Sequence, residues 1–159
     1  MRWMAIVLFG WLATSGLDAA AGPKVVARHH LTLEAVDSIV AAAEKDAQRQ
    51  NAKVVIAVVD AGGALIVLRR LDGTQVASVG VAIDKARTAA IYRRPSKVFE
   101  DQTSKGRVGA LALSGAVPLQ GGIPITYKGE VVGAIGVSGE TPTIDENIAI
   151  AGAKVAENF

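Results

Sequence analysis

The sequence predicts an α+β domain built on an antiparallel sheet of about five strands, with helices on both faces. Three observations carry this reading. "KVVIAVV", "DAGG" and "ALIVLRR" form two apolar arms around a glycine turn, and "IPITY", "KG" and "EVVGAIGVS" repeat the arrangement later in the chain. Between and around these hairpins, apolar residues recur every three or four positions, as on one face of a helix. Hairpins make their strands antiparallel neighbours, and helices set apart from them place the chain in the α+β class.

The first helix is "HLTLEAVDSIVAAAEKDAQRQN". Thr32 is its N-cap, Leu31 and Val36 form a hydrophobic staple, and Asn51 is the stop. Leu33, Val36, Val40, Ala43 and Ala47 make its buried stripe. Both arms of the first hairpin are nearly all apolar, which predicts strands covered on two faces, with Gly62 and Gly63 supplying the turn. Val76–Tyr92 is a second helix rich in small residues, a face that another backbone can approach closely, either the sheet or a second subunit. Pro95 breaks it, and Ser96 caps a short third helix.

"VGALALSGAVPLQGG" carries too many glycines for a helix and reads as one short strand plus a loop. Pro124 places its strand at an edge or at a strand start. In the last helix, Thr143 and Glu146 have capping-box spacing, and Ile144, Ile148, Gly152 and Val155 form the inner stripe.

The N-terminus reads as an export signal. "MRW" is a short basic start, "MAIVLFGWLA" an apolar core too short to span a bilayer, and Ala19 and Ala21 satisfy the small-x-small cleavage rule. The chain therefore divides into a cleaved signal peptide at 1–21, a leader at 22–30 and one domain at 31–159. Cleavage removes both Met and both Trp residues, and the chain has no Cys. A lipid anchor on cysteine is thereby excluded, no disulfide can form, and the expected compartment is periplasmic or extracellular with no stable membrane insertion. A net charge of +2, without interleaved basic and aromatic residues, argues against nucleic acid.

Few residues offer chemistry. Ser114 and Ser138 do not complete a nucleophile elbow, and without cysteines a zinc site has only the adjacent His29 and His30 to draw on. Gly121-Gly122 and Ser138-Gly139 fall at the same end of the late hairpin. They could floor a pocket whose bare amides bind an anion, or simply serve turn geometry. Lys85, Arg87 and Arg93, with Arg94 and Lys97, could meet carboxylates or phosphates, or form a solvated helix face.

"VVIAVVDAGGALIVLRRLDGT", "AIDKARTAAIYRRPS", "LQGGIPITYKGEVVGAIGVSGE" and "DENIAIAGA", in this order over about Leu31 to Phe159, resemble the GlcG/HbpS family, which includes the C-terminal domains of PduO-type proteins. The resemblance implies a profilin-like α/β/α sandwich and homo-oligomers built from dimers. It also implies haem binding or degradation, a glycolate-utilisation accessory role, or redox sensing. Where the family pattern ends V-S-G-G, this chain has Glu140 after Gly139, a negative charge that would oppose haem propionates.

With no Met or Cys left after export, haem iron has only His29, His30, Tyr92 and Tyr127 as ligands, with Lys less suited. By ligand chemistry His30 ranks first as the iron ligand, then His29, then Tyr92. The scarcity of aromatics predicts a shallow or subunit-interface site. The expected function is an exported, homo-oligomeric protein that binds haem or a related tetrapyrrole rather than turning it over efficiently. Two alternatives stay open: a small-molecule enzyme or metabolic accessory acting on an anionic substrate at the glycine-lined pocket, and a sensory or interaction module.

Overall fold

A computed structural model describes residues 24–159. The expected signal peptide and its cleavage point lie outside the described residues. Four helices, α1 (Leu33–Arg49), α2 (Ser78–Tyr92), α3 (Lys97–Ser104) and α4 (Pro142–Ala153), surround four strands, β1 (Val55–Asp60), β2 (Leu65–Arg70), β3 (Gly122–Tyr127) and β4 (Glu130–Ser138). The strands form one antiparallel sheet in the order β2-β1-β4-β3. The α+β architecture is as expected; among the described residues the strand count is four.

The two faces of the sheet are read directly from strand alternation. Ile56 and Val58 of β1, with Ile135 and Val137 of β4, join the core formed with Val36, Ile39 and Val40 of α1 and Ile148 of α4. The intervening Val55, Ala57, Val59 and Ala134 face Ala82, Ala86, Ala89 and Ala90 of α2. Each large aliphatic buried here contributes about 1.5–3 kcal/mol through removal from water. The fully buried apolar residues of α2 are all alanines, and the helix lies very close to the sheet. A side chain at Gly136 would overlap the Ala82 carbonyl and Ala86 backbone nitrogen. The small-residue stripe thus packs on the sheet.

β1 is central and buried from Val55 to Val59, which explains its unbroken apolar run. β2 is equally apolar but is an edge strand, exposed or half-buried along its length, contrary to the two-sided cover expected. The late hairpin turns at Lys128-Gly129, both with positive φ (48° and 79°), as a type I′ turn requires. Thr32 caps α1 by accepting the Ala35 amide at 3.2 Å, and Asn51 follows its end at φ 52°. Leu33, expected in the α1 stripe, is exposed; Ile39 takes the place.

Two expected caps are corrected. Ser96 has helical backbone angles and makes no cap bond to α3; its hydroxyl donates to the Leu119 carbonyl (2.5 Å) and accepts the Gly122 amide (2.8 Å). α4 is capped by Thr141, not Thr143, with Pro142 in the first helical turn. The expected strand within "VGALALSGAVPLQGG" is a short 3-10 turn at Val108–Ala112 followed by a loop. Val108, Leu111 and Leu113 are exposed, so no buried face rewards a strand there. Side chains of α2 and α3 satisfy the loop backbone instead: Tyr92 donates to the Ser114 carbonyl, Thr88 accepts the Val117 amide, and Glu100 accepts the Gln120 amide.

Candidate functional site

A recess that gathers chemistry-bearing side chains lies where the leader meets the tip of the late hairpin. Leu31 anchors the leader, its side chain filling the space left by Gly133 on β4. The next residue, Thr32, starts α1, so the segment just before it is drawn across the hairpin end. His29 Nδ1 lies 2.9 Å from Glu130 Oε2, and its ring meets Tyr127 edge-on, centroids 5.0 Å apart at 77°. Tyr127 and Glu130 are cross-strand partners on either side of the Lys128-Gly129 turn, which fixes them side by side.

Arg28 approaches the other Glu130 oxygen at 3.7 Å, and the Lys128 ammonium sits 4.9 Å from the Tyr127 ring centre. The resulting recess is about 360 Å³. His29, His30 and Tyr127 contribute to its lining; Leu31, Ala35, Val132 and Phe159 provide apolar surface. Thr32, Glu34 and Ser38 on the first turns of α1 complete it. The volume falls at the small end of ligand pockets, which run from about 300 to 1,000 Å³. The hydrogen bond from His29 holds the Glu130 carboxyl below its usual pKa, because the ionised form is the better acceptor.

The recess collects three of the four iron-ligand candidates. Tyr92 is not among them: its hydroxyl is bonded to the Ser114 carbonyl at 2.7 Å and its ring packs edge-on against Phe99. Val132 and Phe159 of the lining, and Glu130 bonded to His29, were not anticipated from sequence. The register across the turn carries a signal for Glu130, since a two-residue I′ loop places residues 127 and 130 opposite each other.

The glycine-floored pocket is corrected. A side chain at Gly121 would come within 2.8 Å of the Val137 carbonyl; at Gly122 it would overlap the Lys85 carbonyl; at Gly139 it would overlap the Lys53 carbonyl. These glycines are covered by neighbouring backbone and admit close packing instead of exposing amides. None of them lines the recess. Ser138 is buried at the end of β4, paired in register with Val55.

The anion-binding cluster is corrected as well. Lys85 is buried and donates to the Val137 carbonyl and to Asp145 Oδ2, both at 2.9 Å. Asp145 Oδ1 accepts the Glu140 amide at 3.0 Å. Burial is the larger influence on Asp145 and raises its pKa above the usual value, while the Lys85 ammonium pulls it down. Arg87 pairs with Asp84 at 3.1 Å, and Arg93 is exposed in left-handed conformation at the end of α2. The three cations do not converge. Glu140, expected as a repelling charge beside a pocket, accepts the Lys53 amide at 2.9 Å. Among the described residues, no cluster of three or more His, Cys, Asp or Glu is arranged to hold a bare metal ion, and no helix is long and apolar enough to cross a membrane.

Comparison with known proteins agrees with this architecture. Protein GlcG of Escherichia coli K12 is 38% identical over 108 residues, covering 68% of this chain and 81% of GlcG. The crystal structure of ORFY from Klebsiella pneumoniae superposes with a TM-score of 0.80 at 27% identity, covering 88% of this chain and 99% of ORFY. A double mutant of HbpS from Streptomyces reticuli gives 0.76 at 36% identity, covering 86% and 94%. Residues 31–154 match the family described as haem-degrading protein HbpS-like, and this chain belongs to that family.

Proposed function

We propose that this chain binds haem or a related tetrapyrrole at the recess between leader and hairpin, as an exported homo-oligomer. The observation that carries the reading is the convergence of His29, His30 and Tyr127 on one partly apolar recess. The donor set fits ferric or ferrous haem: two imidazoles and a phenol are all known iron ligands, and Leu31, Ala35, Val132 and Phe159 suit the macrocycle's apolar surface. The family's description as haem-degrading supports the same ligand. Haem bound here would supply a redox-active iron; the chain supplies its ligands and an apolar wall.

A recess of this size covers part of a tetrapyrrole, which favours an open site or one completed by a second copy. The signal peptide expected at residues 1–21 supports export.

Titration of the purified apoprotein with haem is the test. A Soret band of bound haem that is weakened or lost in a His29→Ala/His30→Ala double variant supports the assignment; an unchanged spectrum overturns the ligand choice. Centrifugation of the same samples reads the mass, and a strictly monomeric protein overturns the oligomer.

A further inference from the structure

Glu130 is not part of the recess lining but holds His29, which is, and its chemistry is directional. We propose that Glu130 is a positioning residue that fixes His29 as the Nδ1–H tautomer and so leaves Nε2 as the nitrogen available to iron. This rests on the haem reading above.

The contact is between Nδ1 and Oε2 at 2.9 Å, a good hydrogen-bond length. An ionised carboxylate only accepts, so the imidazole must donate, and the neutral ring then carries its proton on Nδ1. One further contact holds the carboxylate in place. Arg28 approaches Oε1, leaving Oε2 for His29. The edge-on Tyr127 ring limits rotation of the imidazole. Tyr127 and Glu130 are themselves locked in register across the Lys128-Gly129 turn, so the platform under His29 is rigid secondary structure, not loop.

His30 differs: it lines the same recess but has no side-chain hydrogen bond among the described residues to select a tautomer. Carboxylate partners of this kind orient ligating histidines and raise their basicity. The inference reverses the ranking from sequence: His29 is prepared for iron, and His30 is not.

The test uses the full folded chain without haem and then with it. Nitrogen-15 NMR of the haem-free protein, above the pH at which imidazole is neutral, is expected to show His29 as Nδ1–H, with His30 as an internal reference. Glu130→Ala is expected to lose that preference and to weaken haem affinity about tenfold or more. Glu130→Gln keeps an acceptor without the charge and is expected to restore the tautomer and part of the affinity. Arg28→Ala is expected to leave the tautomer in place.

The iron potential adds a readout that simple anchoring of the leader would not move: it is expected to shift positive in Glu130→Ala. His29 found as Nε2–H in the wild-type protein, or Glu130→Ala binding haem with unchanged affinity and potential, overturns the role of Glu130 alone. Wild-type protein that binds no haem overturns the underlying functional reading as well.

Discussion

Lys85 on α2 and Asp145 on α4 meet at 2.9 Å in the interior, although their helices pack on opposite faces of the sheet. The pair closes the sheet end where β4 stops, and the surrounding groups complete it. Lys85 also bonds the Val137 carbonyl, and Asp145 also accepts the Glu140 amide. Gly121 and Gly122 leave the space that lets Lys85 pass so near the β3 backbone. The glycine-rich segment is therefore used for packing around a buried ion pair.

Removing one partner strands the other in a low-dielectric site. Lys85→Met is expected to destabilise the fold by about 3–5 kcal/mol, read by urea unfolding. Lys85→Met/Asp145→Leu is expected to recover much of that loss, because neither charge remains. A double variant as unstable as the sum of the singles would contradict the pairing.

The pH dependence of the same pair has a definite sign. Asp145 has a raised pKa in the folded protein, so the native state holds its proton to higher pH than the unfolded chain does. Its contribution is most favourable below the ordinary aspartate range and declines as pH rises through the folded value. The stability of wild type minus that of Asp145→Asn is therefore expected to fall with rising pH in the window just above pH 3.8, then level off. Unfolding curves at a series of pH values measure this, and a difference that grows with pH would contradict it.

Gly136→Ala tests the close approach of α2. The added methyl would overlap Ala82 and Ala86 backbone atoms, so helix and sheet must separate. Overpacking of this kind costs about 1–3 kcal/mol, and backbone clash places this position at the upper end. Gly80→Ala on the exposed side of the same helix meets no atom within 4 Å and is expected to be neutral or slightly stabilising. Thermal melts of the two variants separate them.

Thr32→Ala removes the cap of α1 beside the recess. The expected loss is about 1 kcal/mol, from the orphaned Ala35 amide. Thr32→Ser, which keeps the acceptor, is expected to stay near wild type. Equal melting temperatures for all three proteins would remove the cap from the account.

Much of this fold is legible in the sequence, for reasons particular residues show. α1 announces itself by the Thr32 cap, a three-four apolar stripe and the Asn51 stop, all local signals. Lys128-Gly129 between apolar arms identifies a I′ hairpin. β2 looks like β1 in composition, and its edge position follows from strand order, which no local pattern encodes.

The buried pair was readable in part. Lys85 stands with Ala82, Ala86 and Ala89 at one helical face, and Asp145 stands likewise with Ile148, Ala149 and Gly152. Two charges within apolar stripes are the mark of a buried pair, though only the tertiary structure shows that they are partners. The recess was least legible. The residue types able to bind iron could be counted, but the leader has no periodicity, and its docking depends on Leu31, Gly133 and Glu130 meeting across about a hundred residues of chain.

The most direct measurement is the Soret absorbance of haem titrated into the folded protein and its variants. Wild type and Tyr92→Phe are expected to bind alike, His30→Ala to bind moderately less, and His29→Ala to lose the band or shift it strongly. Haem bound equally well by the His29→Ala/His30→Ala double variant and by wild type would show that this recess is not where the iron is held.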